Sequence, residues 1–165
     1  MKSKRVWLMS GLPGSGKSTW VQKAIKKNGG IWHSRDKVRF SIVTENEPYF
    51  KKENKVFKIW INNIQESLDD NVTDNIYIDA THLTKNSREK VLDSLNLKDA
   101  EIYVVNFLIP LEICQKRNAK RQGREKVPND VLKSMNLSFI PATHIEKYTY
   151  TRIINITIDN EDEVD

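Results

Sequence analysis

The chain has one cysteine, Cys114, so no disulfide can form within it. Cys114 falls in a stretch of helical apolar periodicity, where a lone thiol is expected to be an inert buried side chain. Such cysteine usage points to a reducing compartment, and the expectation is a cytoplasmic protein. No apolar run approaches the ~18 residues of a membrane helix, which excludes a helical span. The basic start, Met1 to Arg5, runs straight into a short apolar segment that is too short for the core of a signal peptide. Neither an internal repeat nor a low-complexity tract is visible. Strong one-sided charge is missing too. The net charge of +5 suits a polyanionic ligand without demanding one. A length of 165 residues allows one domain with a real core, expected to span 1–165.

What stands out against this background is Gly11-Leu12-Pro13-Gly14-Ser15-Gly16-Lys17-Ser18, which fits G-x-x-x-x-G-K-[ST], the phosphate-binding P-loop. The apolar run Val6-Trp7-Leu8-Met9 before it reads as a buried strand, and Thr19 to Ile25 after it reads as a helix. Glycines let the backbone wrap a phosphate with its N–H groups pointing inward. The helix N-terminus adds partial positive charge. Gly14, Ser15, Gly16, Lys17, Ser18 and Thr19 are therefore the candidate donor-phosphate site. In this motif Lys17 reaches the β- and γ-phosphates and Ser18 holds Mg²⁺.

Along the rest of the chain, short apolar runs alternate with helical patterns. Strands are expected at about 5–10, 31–33, 76–78, 102–109 and 153–158. The first helix is expected to run to about Lys27, where Asn28-Gly29-Gly30 stops it. Ser34 or Asp36 can cap a helix through Ile42. An amphipathic helix spans about 51–68, and further helices are expected at 87–95, 111–122 and 128–135. The acidic tail, 159–165, is expected to be frayed. Strands alternating with helices imply an α/β fold, a three-layer sandwich with a central parallel sheet. Ligands in such sheets sit beyond the C-terminal strand ends, so residues just after strands should carry the chemistry.

Three groups pass that filter. Asp36 and Arg39 lie three apart on one helix face, where a carboxylate can take a proton from a hydroxyl while the guanidinium holds a neighbouring phosphate. The same residues also read as an N-capping Asp beside a solvated Arg. Asp79 and Thr81 end the third strand, where a carboxylate points toward the P-loop's Mg²⁺ and phosphates, or merely starts a turn. Lys116 to Lys126 is strongly basic, with Arg117 and Arg121 four apart. It reads as a helical lid closing on a triphosphate, or as a solvated basic helix.

These residues resemble the kinase domain of phage-type 5′-polynucleotide kinase/3′-phosphatase, within the P-loop phosphotransferase superfamily. The likeness covers nearly the whole chain. It rests on G-x-P-G-S-G-K-S-T-W at 11–20, R-D-x-x-R at 35–39, K-R-N-x-K-R at 116–121 and V-P-x-D-V-L-x-S-M at 127–135. The resemblance implies ATP as phosphate donor with Mg²⁺, and a 5′-hydroxyl end of DNA or RNA as acceptor. It makes Asp36 the general base, Arg39 the ligand of the phosphate on the 3′ side of the acceptor nucleotide, and Arg117 and Arg121 lid arginines on the donor phosphates. Asp79-Ala80-Thr81-His82 fits the D-x-T-N form of some relatives, whereas the phage enzyme has its Asp where this chain has Ala80. No D-x-D-G-T signature follows, so 3′-phosphatase activity is not expected. The expectation is a polynucleotide 5′-hydroxyl kinase. The alternatives are a P-loop kinase of a small molecule (nucleoside, nucleotide, sugar acid or antibiotic) and a nucleotide-dependent switch without transfer activity.

Overall fold

A computed structural model gives the fold for residues 3–164; Met1, Lys2 and Asp165, the end of the expected acidic tail, lie outside the described residues. Five strands, β1 (Arg5–Ser10), β2 (Ile31–Ser34), β3 (Asn75–Asp79), β4 (Glu101–Phe107) and β5 (Arg152–Ile156), form one sheet in the order β2-β3-β1-β4-β5. Every neighbouring pair is parallel. The helices are α1 (Lys17–Asn28), α2 (Arg35–Ile42), α3 (Glu53–Asp69), α4 (Lys85–Asp93), α5 (Leu111–Ala119) and α6 (Asn129–Ser138).

The two faces follow from alternation along the strands. Val6 and Leu8 of β1 join Ile76, Ile78, Ile102 and Val104 on one face, covered by Trp60, Ile61 and Ile64 of α3 and by Val91 and Leu92 of α4. Trp7 and Met9 point the other way. There they meet Tyr77 and Val105, covered by Trp20, Val21 and Ala24 of α1, Cys114 of α5 and Leu132 of α6. This is the expected three-layer α/β sandwich, and Cys114 is a buried core thiol within it. Among the described residues no helix is long and apolar enough to cross a membrane.

The chain leaves β1 toward β2 on one side and returns past it to β4 on the other, so the sheet's switch point lies at the C-terminal end of β1. The P-loop begins there. One anchor beneath it is Arg88 of α4, fully buried, whose guanidinium meets Glu146 through Nε at 3.1 Å and Nη2 at 2.8 Å and donates to the His82 carbonyl at 2.9 Å. Removing one partner of a buried pair leaves the other charge uncompensated. Arg88→Ala should therefore destabilise the fold by about 3–5 kcal/mol. Denaturant unfolding would measure this, and a loss below about 1 kcal/mol would mean that the pair is not structural.

Several element ends differ from the sequence reading. Helix α4 starts at Lys85 instead of 87, because Thr84 caps it and exchanges hydrogen bonds with Ser87. Helix α5 stops at Ala119, short of 122, and a single 3₁₀ turn, Gly123–Glu125, follows. The tail expected to fray turns back onto α1. Lys23 Nζ meets Asp162 at 3.2 Å and Lys27 Nζ donates to the Val164 carbonyl at 2.7 Å. An acidic tail finds partners there because the last turns of α1 are basic.

Candidate active site

The P-loop joins β1 to α1, and its glycines are required by two observations. Gly14 has φ +81°, and a Cβ on it would lie 2.7 Å from the Cys114 carbonyl of α5. Gly16 has φ +93° and precedes the first turn of α1. Gly11 N–H donates to the Thr81 carbonyl at 2.9 Å, which ties the loop to the end of β3. Thr81 thus meets the loop through its backbone.

Lys17 is nearly buried. Its ammonium donates to the carbonyls of Gly11 at 3.0 Å and Leu12 at 2.8 Å. Among the described residues no carboxylate pairs with it directly. Burial lowers its pKa; Asp79 opposes that shift, Arg121 adds to it, and Cys114 and Asp36 act more weakly to raise it. The fold therefore gathers residues 17, 36, 79 and 121 from four separate stretches of chain. Ser15 Oγ is buried in the same loop with no hydrogen-bond partner among the described residues. An ammonium with no direct ion pair among the described residues and an unpaired buried hydroxyl are what a phosphate would satisfy. Thr19 is exposed beside them.

Ser18 Oγ donates to Asp79 Oδ2 at 2.9 Å. The same carboxylate oxygen accepts from Trp32 Nε1 at 2.9 Å, and the Lys37 ammonium lies 3.7 Å above the Trp32 ring. Asp79 is thus held in place from two sides. Ser34 caps α2 by accepting from the Lys37 N–H at 3.2 Å, so the Asp36 side chain is not needed as the cap. That side chain is 57% exposed and is paired with Arg39.

Arg39 itself is buried, which the sequence did not indicate. Its Nε and Nη2 engage the Glu53 carboxylate at 3.2, 2.8 and 2.9 Å, and its Nη1 serves Asp36 and the Tyr49 hydroxyl. All five N–H donors are occupied, so a phosphate could reach Arg39 only by displacing a partner from Nη1. Tyr49 also donates to Asp36 Oδ1 at 2.5 Å, and burial and the Asp36 charge raise its pKa. Glu53, Tyr49 and Trp32 belong to the site, and sequence reasoning missed all three. Only Glu53 carried a local signal, as the acidic residue of a first helical turn.

The basic segment divides. Arg117, expected to share a face with Arg121, instead pairs with Glu161 of the tail at 2.7 Å and donates to the Gly14 carbonyl at 3.4 Å. Because α5 ends at Ala119, Arg121 lies past the helix. It makes one long bond, 3.4 Å, to the Glu125 carbonyl. Arg124 is not a free loop arginine. It bonds the carbonyls of Phe40 in the last turn of α2 and of Val43 at its C-cap, and lies 4.6 Å from the Phe40 ring. His82, at the end of the Asp79-Ala80-Thr81-His82 stretch, packs into the interior. It is buried, Nδ1 lies 2.6 Å from the Met9 carbonyl, and burial holds its pKa down at about 3.

Residues 6–142 match the family described as an AAA domain. Among solved structures, the chain is similar to a sugar kinase from Janibacter sp. HTCC2649, with 18% identity, a TM-score of 0.64, and coverage of 96% of this chain and 87% of that one. A fungal RNA kinase is 14% identical with a TM-score of 0.69, over 99% of this chain and 79% of that one. A chain of the Pnkp1/Rnl/Hen1 RNA repair complex is 24% identical with a TM-score of 0.72, over 84% of this chain and 44% of that one. What this chain shares with all three is the P-loop kinase fold.

Proposed function

The chain belongs to the AAA domain family, and we propose that it is an ATP-dependent kinase that phosphorylates the 5′-hydroxyl end of DNA or RNA. The observation that carries this reading is that Asp36 and Arg39 already hold a hydroxyl. Tyr49 OH lies 2.5 Å from Asp36 Oδ1, the contact an acceptor hydroxyl would make, and 2.7 Å from Arg39 Nη1, the donor that would meet the phosphate beside it. The four motifs shared in order with phage-type polynucleotide kinases support a polynucleotide acceptor, as does the likeness to an RNA kinase and to an RNA repair complex. The likeness to a sugar kinase favours the second reading, a small hydroxyl acceptor on the same scaffold.

ATP would supply the phosphoryl group, and Mg²⁺, when bound, would offset charge on its phosphates. The backbone N–H groups of Gly14, Gly16 and Thr19 and the unpaired Ser15 hydroxyl would cradle the donor phosphates, with Lys17 at their β,γ end. Ser18 and Asp79 offer hard oxygens side by side, the donor type that suits Mg²⁺ shared with phosphate and water. Asp36 accepts the proton of the acceptor hydroxyl, and Arg39 orients Asp36 and meets the neighbouring phosphate through Nη1. Arg121, with Arg117, offsets charge on the transferring group. Thr81 secures the loop from the substrate side.

Asp36→Ala should lower kcat by about 10²- to 10⁴-fold and leave ATP affinity nearly unchanged, as expected for a general base. Steady-state kinetics with a separate ATP-binding measurement test this. If ATP affinity falls as far as the rate, Asp36 acts on the donor and its assignment is wrong.

A further inference from the structure

The start of α3 carries features that the catalytic reading leaves unused. Phe50 is 63% exposed, although an aromatic side chain gains by burial. It is not loose, because its ring stands edge-on to Tyr49 with centroids 4.7 Å apart, and Tyr49 is fixed to Asp36 and Arg39. Beside it opens a hollow of about 460 Å³ lined by Phe50, Lys51, Lys52, Glu53, Asn54 and Lys55. Glu53, one of the lining residues, is the carboxylate that grips Arg39. Lys55 and Lys58 stand one turn apart on α3, both exposed and neither ion-paired among the described residues. Lys51 is exposed as well, with Glu47 at 3.2 Å as its carboxylate.

An exposed aromatic face followed by a line of cations is the combination that binds single-stranded nucleic acid. The ring stacks an unpaired base and the cations follow the phosphates. The direction is fixed, because the row begins at Tyr49, which sits on the acceptor position, and leads away along α3. We infer that Phe50 with Lys51, Lys55 and Lys58 forms a track for a single-stranded 5′ end, which binds the nucleotides 3′ of the one being phosphorylated. The inference rests on the polynucleotide reading and deepens it. A small-molecule kinase has no use for such a track, and a base-paired end would hide the face that Phe50 needs. Lys52 takes no part, since its ammonium is spent on the Ile42 carbonyl and Glu47.

The test compares a 5′-hydroxyl tetranucleotide with a nucleoside 3′-monophosphate as acceptors, using wild type, Phe50→Ala and the double variant Lys55→Gln/Lys58→Gln. Wild type should show a markedly lower KM for the tetranucleotide. Phe50→Ala should raise that KM by about 10- to 100-fold, the range for removing the stack under one base. The kinetics with the nucleoside 3′-monophosphate and the KM for ATP should not change. The lysine variant should also weaken tetranucleotide binding and flatten its dependence on salt, by about 0.7 in log–log slope for each phosphate that no longer meets a lysine. If wild type uses both acceptors with equal KM, or Phe50→Ala changes both alike, the track does not exist while the kinase reading stands. If no 5′-hydroxyl nucleotide of either length is phosphorylated, the track and the polynucleotide reading fall together.

Discussion

Arg121→Ala is expected to lower kcat by about 10³- to 10⁵-fold, the range for an arginine that offsets charge on a transferring phosphoryl group. The structure leaves this guanidinium uncommitted, with one 3.4 Å bond to the Glu125 carbonyl. Yet its charge reaches Lys17 in the P-loop. It is a cation set against another cation, an arrangement that costs energy until an anion arrives between them. Arg124→Ala should cost far less in rate, because that side chain is already occupied by the Phe40 and Val43 carbonyls. Single-turnover kinetics at saturating ATP separate the two variants. Equal and small losses would make the basic segment a solvated connector with no role in transfer.

Lys17→Ala is expected to bring transfer down by more than about 10³-fold. Losing one preorganised donor at a developing charge costs about 10²–10³, and here the donor is also a full positive charge in a nearly buried setting. The fold should survive. Lys17 has no carboxylate partner to orphan, and its two contacts are carbonyls of its own loop. The melting temperature should stay level or rise slightly, since the variant no longer buries an ammonium whose charged form burial disfavours. A correctly folded Lys17→Ala protein with substantial activity would remove the P-loop from the account.

The fold could be read from the sequence because its signals are local. Val6 to Met9 and Ile76 to Ile78 are continuous apolar runs, and Ile102 to Ile109 is broken only by Asn106, as strands buried on both faces require. The glycines of residues 11–16 announce a phosphate loop by themselves. The network around Asp36 was only partly legible. Asp36 and Arg39 are three residues apart, but the partners that determine what Arg39 can do are Tyr49 and Glu53, brought in by the packing of α3 against α2. No spacing rule links residues 10 and 14 positions apart across a break at Pro48. Trp32 on Asp79 is likewise a contact between neighbouring strands that are far apart in sequence. The lid arginines misled for a different reason. Their four-residue spacing implies one face only if the helix continues, and α5 ends between them.

In the proposed reaction Asp36 presents a nucleic-acid 5′-hydroxyl to the γ-phosphate of ATP. The most direct test incubates the protein with γ-labelled ATP and Mg²⁺ against a panel of oligonucleotides with 5′-hydroxyl or 5′-phosphate ends, nucleosides and sugars. The account predicts label on the 5′-hydroxyl oligonucleotides, at the 5′ oxygen, and none on those already phosphorylated. Label on a sugar or nucleoside with none on any oligonucleotide would contradict it.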